Sequence, residues 1–191
     1  MKNKIITFGE IMLRLSPENN ERFTQCHEFE AVYGGGEANT AVSLANFGVD
    51  CGFVTKLPEH SIGQSAVNSL RQYGVDISNI VRGGDQIGIY FLEKKTSQRP
   101  TNVIYNRSGS AIALAEESDF DWDKIFKDAT GTTINRYITA KRISHAKELL
   151  TEGCSVMETC ESCGFHDYSN FLKTFTKTVG ISPKKYSQYE H

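Results

Sequence analysis

Tyr33-Gly34-Gly35-Gly36-Glu37-Ala38-Asn39 stands at the entrance of a helical stretch, and its reading sets the fold of the first part of the chain. Glycines without side chains let a ligand approach the backbone, and the helix N-terminus that follows offers unpaired N–H groups to its oxygens. Taken alone, a glycine-rich strand-to-helix turn is more often plain turn geometry. They form neither a P-loop, which requires Gly-Lys-Ser or Gly-Lys-Thr, nor a spaced dinucleotide fingerprint.

Outward from this turn, residues 37–47 carry Ala38, Ala41, Val42, Leu44 and Ala45 on one side, and Gly48 is placed to stop the helix. Residues 5–10 read as a short β-branched strand ending in a turn, and residues 52–55 as another. A second helix is expected over residues 64–73, with Ala66, Val67 and Leu70 inward and Gly74 as its stop. This alternation predicts an α/β layered sheet of mainly parallel order. Residues 87–92 and 103–105 are two further strand candidates around a polar segment, and they predict a small β lid over the sheet. Asp119-Phe120-Asp121-Trp122-Asp123 begins like a calcium loop, but Lys124 stands at the turn glycine and Thr130 at the closing glutamate. It reads as an acidic helix start.

From Ile134 the pattern turns almost purely helical. Ile134, Ile138, Ile143, Ala146, Leu149 and Leu150 recur at helical spacing, and Gly153 ends the run. Ser155 and Glu158 form a capping box, and that helix, running to about Ser162, presents Val156 and Cys160 inward. Cys163-Gly164-Phe165 is a tight turn, and Asp167 can cap a second helix whose inward residues are Phe171, Phe175 and Val179. Ser169, Lys173 and Lys177 form an i, i+4, i+8 row on another side. Two short helices joined by a glycine turn, the second outwardly polar and basic, make an all-α helix-turn-helix segment, though such hairpins also occur in proteins that never touch nucleic acid.

Composition agrees with a globular chain: 39% of the 191 residues are hydrophobic and 23% charged. The net charge of -2 is uneven, because residues 1–130 hold 13 Lys and Arg against 17 Asp and Glu, while residues 131–191 hold 8 against 6. The tail is therefore the part that tolerates a polyanion, although an excess this small would not by itself suggest DNA. The five cysteines follow no disulfide-framework spacing, and Cys160 and Cys163 read as packed small residues rather than a metal or redox pair. No apolar stretch approaches bilayer length and the start lacks a cleavage site, so a cytoplasmic location is expected, with no membrane partner.

Several ordered motifs in the first part resemble the ribokinase-like (PfkB) sugar kinases, and within them 2-keto-3-deoxygluconate kinase. They are Gly9-Glu10, the Gly34–Asn39 turn, Lys56-Leu57-Pro58 before Ile62-Gly63, Gly74-Val75-Asp76, and Gly88-Ile89-Tyr90-Phe91. The resemblance covers residues 4–128 and gives a domain expectation of 1–129 for a truncated kinase-like, substrate-binding half. It implies that Gly34, Gly35, Gly36 and Asn39 hold sugar hydroxyls. It also implies that Tyr90 and Tyr105 line the pocket and that Arg107 pairs with the carboxylate of a sugar acid, for which a guanidinium has matching donors. Read without the family, the tyrosines are sheet cover and Arg107 a surface charge. The full family implies ATP and magnesium, held by a later half with a Gly-Ala-Gly-Asp sequence that is not found here, so an inactive kinase and no bound cofactor are expected.

Residues 130–191 resemble the end of an AraC-type DNA-binding domain. The likeness rests on Thr130-Gly131-Thr132, Tyr137, Arg142-Ile143, Ala146, Leu149-Leu150, Gly164-Phe165, Phe171, Phe175, Gly180-Ile181-Ser182-Pro183 and Tyr186. It implies that Tyr168, Ser169 and Lys173 face base edges, with Asn170 and Thr174 nearby and Lys177 on a phosphate. Family members carry two helix-turn-helix units, and one is expected here, which would weaken DNA binding. Three readings follow: a DNA-binding regulator, a sugar-binding or kinase-like protein, and a gene fusion without an evolved joint function.

Overall fold

A computed structural model describes residues 4–97 and 99–189, and it divides the chain into two units, Met1–Gly131 and Thr132–His191. The first unit runs β1 (Ile5–Phe8), β2 (Met12–Pro17), β3 (Phe29–Gly34), α1 (Gly36–Asn46), β4 (Cys51–Leu57), α2 (Ser61–Arg71), β5 (Ile80–Arg82), β6 (Ile89–Glu93), β7 (Asn102–Asn106) and α3 (Trp122–Thr130). The second contains α4 (Ile134–Thr151), α5 (Val156–Ser162), α6 (Tyr168–Val179) and α7 (Pro183–Tyr189). The fold is thus a ribokinase-like α/β arrangement with a β lid, followed by an all-α helix-turn-helix segment.

In the first unit, β1, β4 and β5 form a parallel sheet in the order β1-β4-β5, with Ile5 opposite Cys51 and Thr55 opposite Ile80. The central strand β4 buries Phe53, Val54 and Leu57, whose apolar run suits a strand covered on both faces. Ala38 and Ala41 of α1 and Ala66, Val67 and Leu70 of α2 pack in the same core as Phe53 and Leu57. Both helices stop where expected, with Gly48 and Gly74 in the left-handed region at φ 76° and 78°. Val54 belongs to a second cluster with Phe120 and Ile125, and Phe8 stacks at 5.5 Å on both Phe120 and Trp122. Asp121 caps α3 by accepting from Lys124 N at 3.0 Å, while Asp119 pairs with Lys56 at 2.7 Å.

The lid is larger than its two sequence-predicted strands. It is four-stranded, in the order β3-β2-β6-β7, with β2 parallel to β6 and the other pairs antiparallel. Strands β2 and β3 escape sequence reading because both lie within the crossover from β1 to β4, where a helix alone satisfies the βαβ pattern. Their signal was present in the alternation Met12-Leu13-Arg14-Leu15.

The second unit has one core. Ile143, Ala146 and Leu150 of α4 meet Cys160, Cys163, Phe165, Phe171 and Phe175. Ile138, one of the apolar residues at helical spacing on α4, is 40% exposed. The helices α5 and α7 pack on α4, and the buried residues of α4 begin only at Ile143, so its first turns stand outside the core cluster. Helix α7 was not foreseen, although Ser182 followed by Pro183 is a helix start in which proline loses no needed donor. Its Tyr186 ring meets Phe175 edge-on at 5.6 Å.

Candidate functional site

In the first unit the glycine turn serves two separate ends. Gly34 closes β3, Gly35 caps α1 in extended conformation, and Gly36 opens the helix. A methyl group on Gly34 would lie 3.5 Å from Asn39 Oδ1 and 3.8 Å from the Tyr90 hydroxyl, so these three positions converge. At Gly36 the same methyl would meet nothing within 4 Å. At Gly35, by contrast, it would collide with the Glu10 carbonyl, so glycine is required there by backbone packing inside the protein.

Tyr90 on β6 and Tyr105 on β7 are register partners whose rings lie 5.8 Å apart. Tyr90 is half-buried and Tyr105 is 60% exposed. Arg107, just past β7, is engaged by a residue that sequence reasoning did not assign: its Nη2 lies 2.8 Å from Oε2 of the buried Glu10. A concavity of about 320 Å³ shares Gly34 and Asn39 with this group, but its remaining walls include Tyr33, Val42, Leu70 and Tyr73 rather than Tyr90, Tyr105 or Arg107. Gly34, Asn39, Tyr90 and Tyr105 therefore form one neighbourhood, with Arg107 held from behind by Glu10.

The second unit builds its surface from a single helix. The capping box starts α5, with Glu158 N donating to Ser155 Oγ at 3.3 Å and Ser155 N donating to Glu158 Oε2 at 3.0 Å. Hydrogen bonding to the Ser155 side chain and backbone holds the Glu158 carboxyl below its usual range. Gly164, at φ 71°, makes the turn. Arg142 from α4 lies over the Phe165 ring at 5.6 Å, a brace that sequence spacing does not reveal. Asp167 then caps α6 by accepting from Asn170 N at 3.1 Å. Phe171 and Phe175 are fully buried, while Tyr168, Ser169, Asn170, Lys173 and Lys177 are exposed. Thr174 is half-buried, and its hydroxyl lies 3.3 Å from Asn170 Oδ1.

Comparison with known proteins finds different relatives for the two parts of the chain. A family described as helix-turn-helix domain matches residues 118–189, a span that also takes in α3. The 2-dehydro-3-deoxygalactonokinase of Haloferax volcanii is 36% identical over 131 residues, 68% of this chain and 40% of the relative. The crystal structure of 2-dehydro-3-deoxygluconokinase from Thermotoga maritima is 53% identical, with a TM-score of 0.64, over 66% of this chain and 39% of that one. A PfkB family carbohydrate kinase from Listeria grayi gives a TM-score of 0.63 at 34% identity, over 65% of this chain and 39% of that one. The chain is a chimera of a PfkB-like kinase segment and an AraC-type helix-turn-helix segment. It spans about two fifths of the length of the kinases it matches.

Three of the five cysteines, Cys51, Cys160 and Cys163, belong to the cores. Burial pushes the Cys160 and Cys163 thiols up, which disfavours the thiolate that metal binding or redox attack requires. Among the described residues no group of three or more His, Cys, Asp or Glu is placed to hold a metal ion, and no Gly-Ala-Gly-Asp occurs in the sequence. No helix among the described residues is long and apolar enough to cross a membrane.

Proposed function

We propose that the chimera binds DNA through α6 and acts as a sequence-specific regulator, with its specificity in residues 155–178. The carrying observation is the division of α6 into two faces: Phe171 and Phe175 are fully buried, whereas Tyr168, Ser169, Asn170, Lys173 and Lys177 are exposed. A helix seated by its apolar face and offering hydroxyl, amide and ammonium groups on the other has the chemistry of a major-groove reader. Tyr168, Ser169 and Lys173 take the base edges, Asn170 and Thr174 support them, and Lys177 takes a phosphate. Titration of a labelled duplex over a salt series tests this. Affinity should fall as salt rises, with a log–log slope that drops by about one on Lys177→Ala. A salt-independent affinity would refute DNA binding.

A second reading applies to the first unit, and the convergence of Gly34, Asn39 and Tyr90 favours it. The kinase-like segment binds a sugar acid, with hydroxyls at Gly34, Gly36 and Asn39, the Tyr90 and Tyr105 rings as walls, and the carboxylate on Arg107. Binding, not phosphoryl transfer, is the activity proposed. Thermal stabilisation by 2-keto-3-deoxygluconate that disappears in Arg107→Ala is the expected result, and no shift with a panel of keto sugar acids would overturn it.

A further inference from the structure

Glu10 follows the first strand and is only 7% exposed. Its carboxylate oxygens are buried, and Oε1 has no hydrogen-bond partner. The contact that offsets this buried charge is Arg107, whose Nη2 stands 2.8 Å from Glu10 Oε2. Space for the carboxylate comes from Gly88, where a methyl group would overlap Glu10 Oε1 and crowd Met12. Gly88 does not have a positive φ, so it is the missing side chain, not a special backbone conformation, that position 88 supplies. Three residues far apart in the chain, Glu10, Gly88 and Arg107, thus make one arrangement.

Its consequence falls on the arginine. Arg107 is 52% exposed and lies beyond the end of a strand whose residues are all exposed, where a long side chain would otherwise sample many rotamers. A guanidinium carries five N–H donors in a fixed fork. Glu10 stands beside one terminal nitrogen, and the half-exposed guanidinium has further donors for a second carboxylate. A ligand that meets an arginine already held in place loses less of its binding energy to ordering that side chain. Glu10 itself is closed to ligand, because its oxygens are buried.

We infer that Glu10 is a positioning residue for sugar-acid recognition, a buried carboxylate seated in the gap left by Gly88 that aims Arg107 at the ligand's carboxylate. This inference rests on the sugar-acid reading of the first unit. The test is calorimetric titration of the full chain with 2-keto-3-deoxygluconate and with 3-deoxyfructose, its counterpart bearing a hydroxymethyl group in place of the carboxylate. Glu10→Gln should weaken binding of the acid by about tenfold, the scale of one charge-assisted contact, and leave the neutral sugar within about twofold. Glu10→Met fills the same space without charge and should do the same, which keeps the test open if the amide disturbs folding. In an Arg107→Ala background, Glu10→Gln should have no further effect on either sugar.

Equal weakening of acid and neutral sugar, or an added loss in the Arg107→Ala background, would mean that Glu10 only supports the fold. Unchanged acid binding in both Glu10 variants would also overturn the positioning role, while leaving the sugar-acid reading intact. Failure of the parent protein to bind the acid would overturn both.

Discussion

The two units assemble their candidate surfaces in opposite ways. In the second, every proposed contact lies on α6, within a single stretch from Tyr168 to Lys177, and the helix needs only a cap and a buried face to present them. In the first, the residues come from the end of β3, from α1, β6, β7 and the segment after β7, and Arg107 meets Glu10 from far away in the sequence. A surface built on one helix survives as long as that helix is seated. A surface built from separate strands depends on the whole sheet register, where a slip of one residue turns each side chain to the other face.

The largest test of this contrast is Phe171→Ala. The side chain is fully buried between Phe165 and Phe175, at ring distances of 5.1 Å and 5.8 Å. Its loss should cost about 3–5 kcal/mol, enough to threaten a small helical unit. Circular dichroism melts should show a transition lost or shifted far down and duplex binding abolished, while stabilisation by a sugar acid persists. Loss of both activities would break the contrast.

A smaller effect is expected at the turn. Gly164 has φ 71°, and a methyl group there would also come within 3.4 Å of Arg142 Nη2. Gly164→Ala should therefore destabilise by about 1–2 kcal/mol, the cost of a left-handed non-glycine residue. Duplex binding should weaken in parallel with urea stability; weakened binding at unchanged stability would place Gly164 in the contact surface itself.

The smallest effect belongs to the cap. Ser155→Ala removes the acceptor for Glu158 N and should cost about 1 kcal/mol in urea melts near neutral pH. The Glu158 carboxyl is held below its usual range, so its contribution is present above the unfolded value and lost as pH falls through the lower folded one. The gap between parent and variant should therefore narrow in strong acid, down to the part owed to the bond from Glu158 N to Ser155 Oγ. A constant difference down to about pH 3 would show that the charged carboxylate takes no part.

The helical segments were legible because their signals are local. Ser155 and Glu158 sit three residues apart, Asp167 precedes its helix directly, and Gly164 announces the turn; each interaction spans one helical turn, and the structure shows all of them. Gly48 and Gly74 are of the same kind. What escaped was non-local. Strands β2 and β3 complete the lid only through pairing with each other and with β6. Glu10 was seen as part of a motif, but its role depends on Gly88 and Arg107, which no sequence spacing connects to it.

The glycine turn at residues 34–36 holds both lessons. Sequence alone established that a helix begins after it, because the apolar spacing of Ala38 and Ala41 and the stop at Gly48 are properties of one continuous segment. Only the tertiary structure decided why each glycine stands there. Gly34 meets Asn39 and Tyr90, Gly36 faces open space, and Gly35 is spent on the Glu10 backbone. Helical periodicity is written along the chain, whereas close approach between strands exists only after the sheet has brought distant residues together.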